Sequence, residues 1–333
     1  MKKGETIVPT GWHVHPNGGG LVQDTAHVAS TAYVGPKARV ADRAEVLDFA
    51  KVCDNAEVRD EARVHGNARL EGRACVRDHA TVCDDALVHG VNNGVVIAGT
   101  AVVCDSARVL DEARVYDRAV VSDNAAVQEQ AVVGDRARIY ECATVRDRAR
   151  INGDAAVFGH AIVADDARVE SWARVYGNAT VRDNALVGDA AQVYGSAVAA
   201  GRARVLDMSQ VYGYARLTED ACTCHQARIA GDALLTGNAR VTGNAILCGG
   251  HLRWGLLPMV VGGKYEAWLS SPRDVGINGK MLTPQEWNER LEKNEDGLSR
   301  ADMREHRRIL AQMREALRVV TARRQFVNRR NDE

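Results

Sequence analysis

Val175-Tyr176-Gly177-Asn178-Ala179-Thr180 is one unit of a six-residue repeat that runs through most of this 333-residue chain. Numbered one to six, the repeat fills residues 22–87 with eleven hexads and residues 97–246 with twenty-five more. Position one is Val, Ile or Leu in 34 of these 36 units and position five is Ala in 35, so both columns belong inside whatever the chain forms. Only Ala199 and Thr223 break the first column, and only Ser209 the second. Position three is Asp or Gly in 29, residue types that accept the tight backbone of a corner.

A helix needs apolar residues at three-to-four spacing and a plain strand alternates with period two, so neither element extends through this pattern. The chain has to turn once per hexad. A branched residue at position one points inward from a short flat strand, position three turns the corner, and the Ala at position five points inward where the corner leaves little room. Three hexads close a triangular coil of about eighteen residues, stacked on the next at about 4.8 Å, the ordinary interstrand spacing. The expected architecture is an all-β solenoid: a single-stranded parallel β-helix of about twelve triangular coils, roughly 55 Å long. Each coil satisfies its neighbours, so only the two ends need caps.

The run resembles the left-handed β-helix of the hexapeptide-repeat, trimeric acyltransferase-like (LpxA-like) superfamily, and its Val-Tyr-Gly-Asn-Ala flavour is most similar to the YdcK-like transferase branch. The left hand of the coil comes from that resemblance, because spacing does not choose a hand and crossovers are usually right-handed. The resemblance is specific for fold and weak for function, since one solenoid carries enzymes, binding proteins and spacers. It implies a homotrimer. It also implies that an acyl-transferring member would bind coenzyme A in the groove between neighbouring subunits.

Bulk numbers narrow the rest. A formal net charge of −1 argues against a nucleic-acid binder, and the 5% aromatic content fits a core of Val and Ala. Residues 1–21 lack the apolar stretch of a secretory signal and no run is long enough to span a membrane, so a cytoplasmic protein with no membrane partner is expected. The eight cysteines follow no framework spacing and are read as reduced thiols. Residues 1–21 read as an N-terminal cap in which Trp12 covers the first coil. His13, His15 and Gly18-Gly19-Gly20 lack the third ligand or following helix that a metal or phosphate site needs. The β-helix takes residues 22–250 with a short loop at 91–96. A cap and hairpin follow at 251–282, the hairpin turning at Asn278-Gly279, and a helical tail at 283–333 opens on the capping signal Thr283-Pro284-Gln285-Glu286.

Counting eighteen residues at a time along position two gives an outward column: Ser122, Tyr140, Phe158, Tyr176, Tyr194, Tyr212, Ala230. Five aromatics in register predict an external ladder, read first as an interface and second as a platform for a planar small-molecule ligand. Catalytic candidates are weak: His89, His160 and His225, with no three-histidine set of the carbonic-anhydrase kind among His65, His79, His89 and His160. In Cys222-Thr223-Cys224-His225 several repeat rules break together. Cys222, Cys224 and His225 are weak metal candidates, because one strand supplies at most three ligands; a relaxed repeat is the preferred reading and no cofactor is expected. A tail stripe, Met303, Leu310, Met313, Leu317 and Val320, suits self-association or docking on the chain's own solenoid. The functional expectation is a non-catalytic structural or binding scaffold, with an acyltransferase as the enzymatic alternative.

Overall fold

The computed structural model describes residues 8–243, 245–249, 251–252, 256–257, 267–269, 275–277, 280–294, 299–300, 302–304, 307 and 310–311. Its solenoid is a left-handed parallel β-helix, the coil as the repeat predicts and the hand as the resemblance implies. By internal contacts the chain divides into Met1–Asp183 and Asn184–Glu333.

In the first unit the two-residue strands pair in parallel at the expected period, as in Arg39↔Glu57 with Val40↔Val58, and Arg138↔Ala156 with Ile139↔Val157. Position one and position five are sealed inside: Val40, Val58, Ala44 and Ala62 have no exposed surface. The second unit repeats the scheme, with Leu186↔Arg204 and Val187↔Val205. The register also shows why the repeat has six residues. Through the hexad that begins at position two with Arg59, the amides of Arg59, Glu61 and Arg63 donate to the carbonyls of Val76, Asp78 and Ala80 in the next coil at 3.0, 2.8 and 2.9 Å. Ala62 closes the corner by donating to Arg59 at 3.2 Å. Val64 lies in the strand paired with Val46 in the coil behind, which leaves the amide of the corner residue itself, and it cannot be left unpaired.

The corner side chains supply its partner. Asp60 N donates to Asp42 Oδ2 at 3.2 Å, and Asp78 N donates to Asp60 Oδ2 at 3.1 Å. Other corners do the same: the Asp123 amide donates to Asp105 and that of Glu141 to Asp123, the Asp165 amide to Asp147 and that of Asp183 to Asp165, the Asp207 amide to Asp189 and that of His225 to Asp207. These corners sit in the left-handed region, with φ of 57° at Asp42, 61° at Asp60 and 62° at Asp78. Aspartate is therefore chosen twice: its short polar side chain tolerates a left-handed backbone, and its carboxylate reaches the amide of the coil ahead.

A consequence follows for Glu129 and Asp147, corner residues of adjacent coils. The hydrogen bond to Asp147 pushes the Glu129 carboxyl above its ordinary range, while the Asp165 amide holds Asp147 below its own. A raised acid contributes stability below its unfolded pKa and loses it as pH rises through the folded value; a lowered one contributes above the unfolded pKa and loses it as pH falls through the folded value. Once Glu129 gives up its proton the pair is two facing carboxylates. Glu129→Gln, a donor at every pH, is expected to melt above the natural protein at neutral pH, with the gap closing as acid protonates Glu129. Melting curves across the pH range check this, and solvent screening keeps the gap small.

The chain ends depart from the repeat. Trp12–Val14 runs antiparallel to Leu21–Gln23, forming a hairpin at the first coil, with Trp12 half-buried. At residues 91–94 three extra residues enter: Cys75 pairs with Val96 ahead, a step three residues longer than its step back to Glu57. The strands around the insertion lengthen to Arg69–Gly72, Leu87–Gly90 and Arg108–Asp111, and Val95 is already back in the core. In the second unit Ala267–Leu269, Val275–Ile277 and Lys280–Leu282 form a small antiparallel sheet. Helix Pro284–Lys293 follows with the full capping box, Glu286 N to Thr283 Oγ1 at 3.2 Å and Thr283 N to Glu286 Oε2 at 2.7 Å. Of the tail stripe, Leu310 is buried and Met303 half-buried, while Met313, Leu317 and Val320 lie outside the described residues.

Candidate functional site

The aromatic column is built by strand register alone. Arg138, Ala156 and Arg174 are aligned partners, so Tyr140, Phe158 and Tyr176, two residues further along each strand, are carried into line. Their rings stack at 4.8 Å with interplanar angles of 6° and 2°. In the second unit Tyr194 and Tyr212 stack at 4.9 Å and 5°. The ring spacing is the strand spacing, which falls within the range of favourable offset stacking, so the backbone needs no distortion to form it. Within each of these two stacks a ring covers its neighbour's face, all five are half-buried, and what the stacked rings offer outward is edge. Burial pushes the Tyr140 and Tyr176 phenols above their ordinary value, so these hydroxyls stay protonated.

The candidate histidines lie apart. His89 is on the strand before the 91–94 insertion, its Nδ1 3.4 Å from Glu71 Oε2 and its side chain 41% exposed. His160 is exposed, one residue past the corner Gly159 and two past Phe158 in sequence. His79 faces Glu61 at 3.2 Å. At the N-terminus His13 Nδ1 is 3.0 Å from Asp24 Oδ1, whereas His15 is buried with Nε2 3.1 Å from the Ala32 carbonyl, so two different partners engage the two rings. Among the described residues, two groups of three side chains are spaced to hold a metal, and neither contains more than one histidine.

The irregular hexad is organised from inside out. Thr223 has no exposed surface, and its Oγ1 lies 3.1 Å from Oγ of Ser209, which is equally buried. The residue that breaks the alanine column therefore meets a residue that breaks the aliphatic column. Ser209 Oγ also donates to the Leu206 carbonyl at 2.7 Å, which uses its only hydrogen and leaves Thr223 as the donor of the pair. Cys222 and Cys224 flank Thr223 and are almost covered, at 8% and 7% exposure, while His225 is exposed at the corner with φ 62°. Cys224 and His225 come together with Asp207, a residue that reading the hexad alone misses. Counting back one coil from His225 reaches it.

Coil, corner and column define a hexapeptide-repeat β-helix protein. Residues 103–248 match the family model described as GMPPB C-terminal domain, a β-helix of the same hexapeptide type, and the chain is similar to that family over this stretch. No curated protein and no solved structure matches the chain. Among the described residues no helix is long and apolar enough to cross a membrane.

Proposed function

We propose that this chain is a structural or binding scaffold of the hexapeptide-repeat type, without chemistry of its own, whose flat faces meet other copies of itself in a homotrimer. The observation that carries this reading is the ring stack. Rings that cover one another's faces at 4.8 Å leave no π-surface along the column for a planar ligand to stack on, which weakens the ligand-platform alternative. An edge strip of half-buried aromatics suits a flat protein surface instead, since aromatic residues are enriched at the core of interfaces. Similarity over residues 103–248 to a family described as GMPPB C-terminal domain fits a hexapeptide-repeat scaffold, while the YdcK-like transferase flavour of the repeat fits the enzymatic alternative equally well.

One observation favours a second reading, acyl transfer from coenzyme A. His89 Nδ1 lies 3.4 Å from Glu71 Oε2 beside the 91–94 insertion, which sets a carboxylate within a small rotation of orienting an imidazole base. Glu71 would be the positioning partner and a groove at that loop the acceptor site. Calorimetric titration of the full chain with acetyl-coenzyme A separates the readings. The scaffold predicts no heat of binding up to millimolar ligand. Saturable micromolar binding that weakens in His89→Ala would replace it with the transferase.

A further inference from the structure

We propose that Asp207, Cys224 and His225 form a binding site for a zinc-like divalent transition-metal ion on the outside of the second unit. A carboxylate oxygen of Asp207, the Cys224 sulfur and an imidazole nitrogen of His225 all lie within 4.8 Å of one another, so an ion placed among them reaches all three with small side-chain adjustments. A thiolate, an imidazole and a carboxylate are the ligand types zinc takes, and three protein ligands leave a fourth position for water.

Three features set this cluster apart from an accident of a charged surface. The first is the corner. Asp207 Oδ2 accepts the His225 amide at 2.7 Å, so the carboxylate is held by the backbone of a second ligand, and the two corners are fixed relative to each other before any ion arrives. The second is the residue choice. His225 occupies, at φ 62°, a position where the repeat places Asp or Gly, and pairing with Asp207 needs only its amide, which Asp or Gly would supply equally well. The imidazole is thus unexplained by the corner. The third is burial: Cys224 is 7% exposed, so its sulfur is shielded from bulk water while His225 keeps an open approach. Thr223, between the two cysteines, is tied to Ser209 in the core, which fixes the strand that carries Cys224.

Binding is written with its proton. The Cys224 thiol gives its proton to solvent as the sulfur–metal bond forms, and no electron moves. Arg240, from the adjoining coil, contacts Cys224 in the metal-free state; it is exposed and long, and swings outward when the ion takes its place. The other group with metal-capable spacing, Cys83, Asp84 and Cys104, has no imidazole. It is the natural control.

The test uses the reduced full chain and cobalt(II) as a spectroscopic substitute for zinc. One equivalent is expected to give a thiolate-to-cobalt charge-transfer band with the intense visible bands of a four-coordinate ion, and zinc should bleach them. Cys224→Ser should abolish the charge-transfer band. Asp207→Asn, which can still accept the His225 amide, and His225→Ala should each weaken binding at least tenfold while circular dichroism and melting of the metal-free chain stay near those of the natural protein. Cys83→Ser/Cys104→Ser should change nothing. No charge-transfer band at millimolar cobalt, or a band that survives Cys224→Ser, overturns the proposal.

Discussion

Gly72→Ala is expected to destabilise the protein by about 3 kcal/mol, combining roughly 1–2 kcal/mol for a left-handed backbone with roughly 1–3 kcal/mol for overpacking. Gly72 has φ +63°, and an added methyl would meet the Gly90 carbonyl oxygen at 2.0 Å. That oxygen cannot retreat, because it accepts the Arg73 amide at 2.8 Å within a ladder that pairs Gly72 with Gly90. The cause is the three-residue insertion. Gly90 and Gly94 also pack against the Arg73 backbone, where a methyl on Gly94 would lie 2.2 Å from the Arg73 carbonyl, and the Arg73 side chain donates to the Asn92 carbonyl at 2.9 Å. The extra residues are folded around one backbone segment and glycine alone leaves room for it. Gly19→Ala is the control: φ is +80° but nothing lies within 4 Å, so only the conformational cost of about 1 kcal/mol should appear. Chemical denaturation of both variants measures the difference.

The second large effect is a coupling. Ser209→Ala would restore the alanine column of the repeat and yet is expected to cost about 2 kcal/mol, because it strands the buried Thr223 hydroxyl hydrogen without an acceptor. Thr223→Val, which restores the aliphatic column, should cost about 1 kcal/mol or less, since Ser209 keeps its bond to the Leu206 carbonyl. The double variant removes both polar groups and should return to within about 0.5 kcal/mol of the natural protein. Denaturant midpoints of the four proteins give the coupling energy. Costs that simply add would mean that the two hydroxyls do not depend on each other.

The repeat exposes most of this fold to a reader of the sequence, because position one and position five report the inside directly and their spacing forces a turn each hexad. The aromatic column was legible for the same reason: stacking the coils is arithmetic, and Tyr140, Phe158 and Tyr176 fall on it. Features that depend on contact between coils were harder. That Asp42 accepts the amide of Asp60 requires knowing that the corner is left-handed and that its carboxylate points forward, neither of which a residue type states. Asp207 does not stand out in the sequence because it keeps the repeat's rules, and only its partner His225, one coil on, breaks them. The same holds for Ser209 and Thr223, each noted as an exception, whose meeting depends on how two adjacent coils face across the interior. At 91–94 the sequence shows where the period slips, but the slip is absorbed by lengthening three strands, a response set by glycine packing around Arg73.

The proposal that the aromatic edge strip seats further copies of this chain is tested most directly by the mass of the chain in solution. Light scattering at micromolar concentration should give three chains for the natural protein, and a single chain for Phe158→Glu with an unchanged β-sheet signal, since a carboxylate placed among ring edges cannot be desolvated. A natural protein that runs as one chain, or a Phe158→Glu variant that stays assembled, would contradict it.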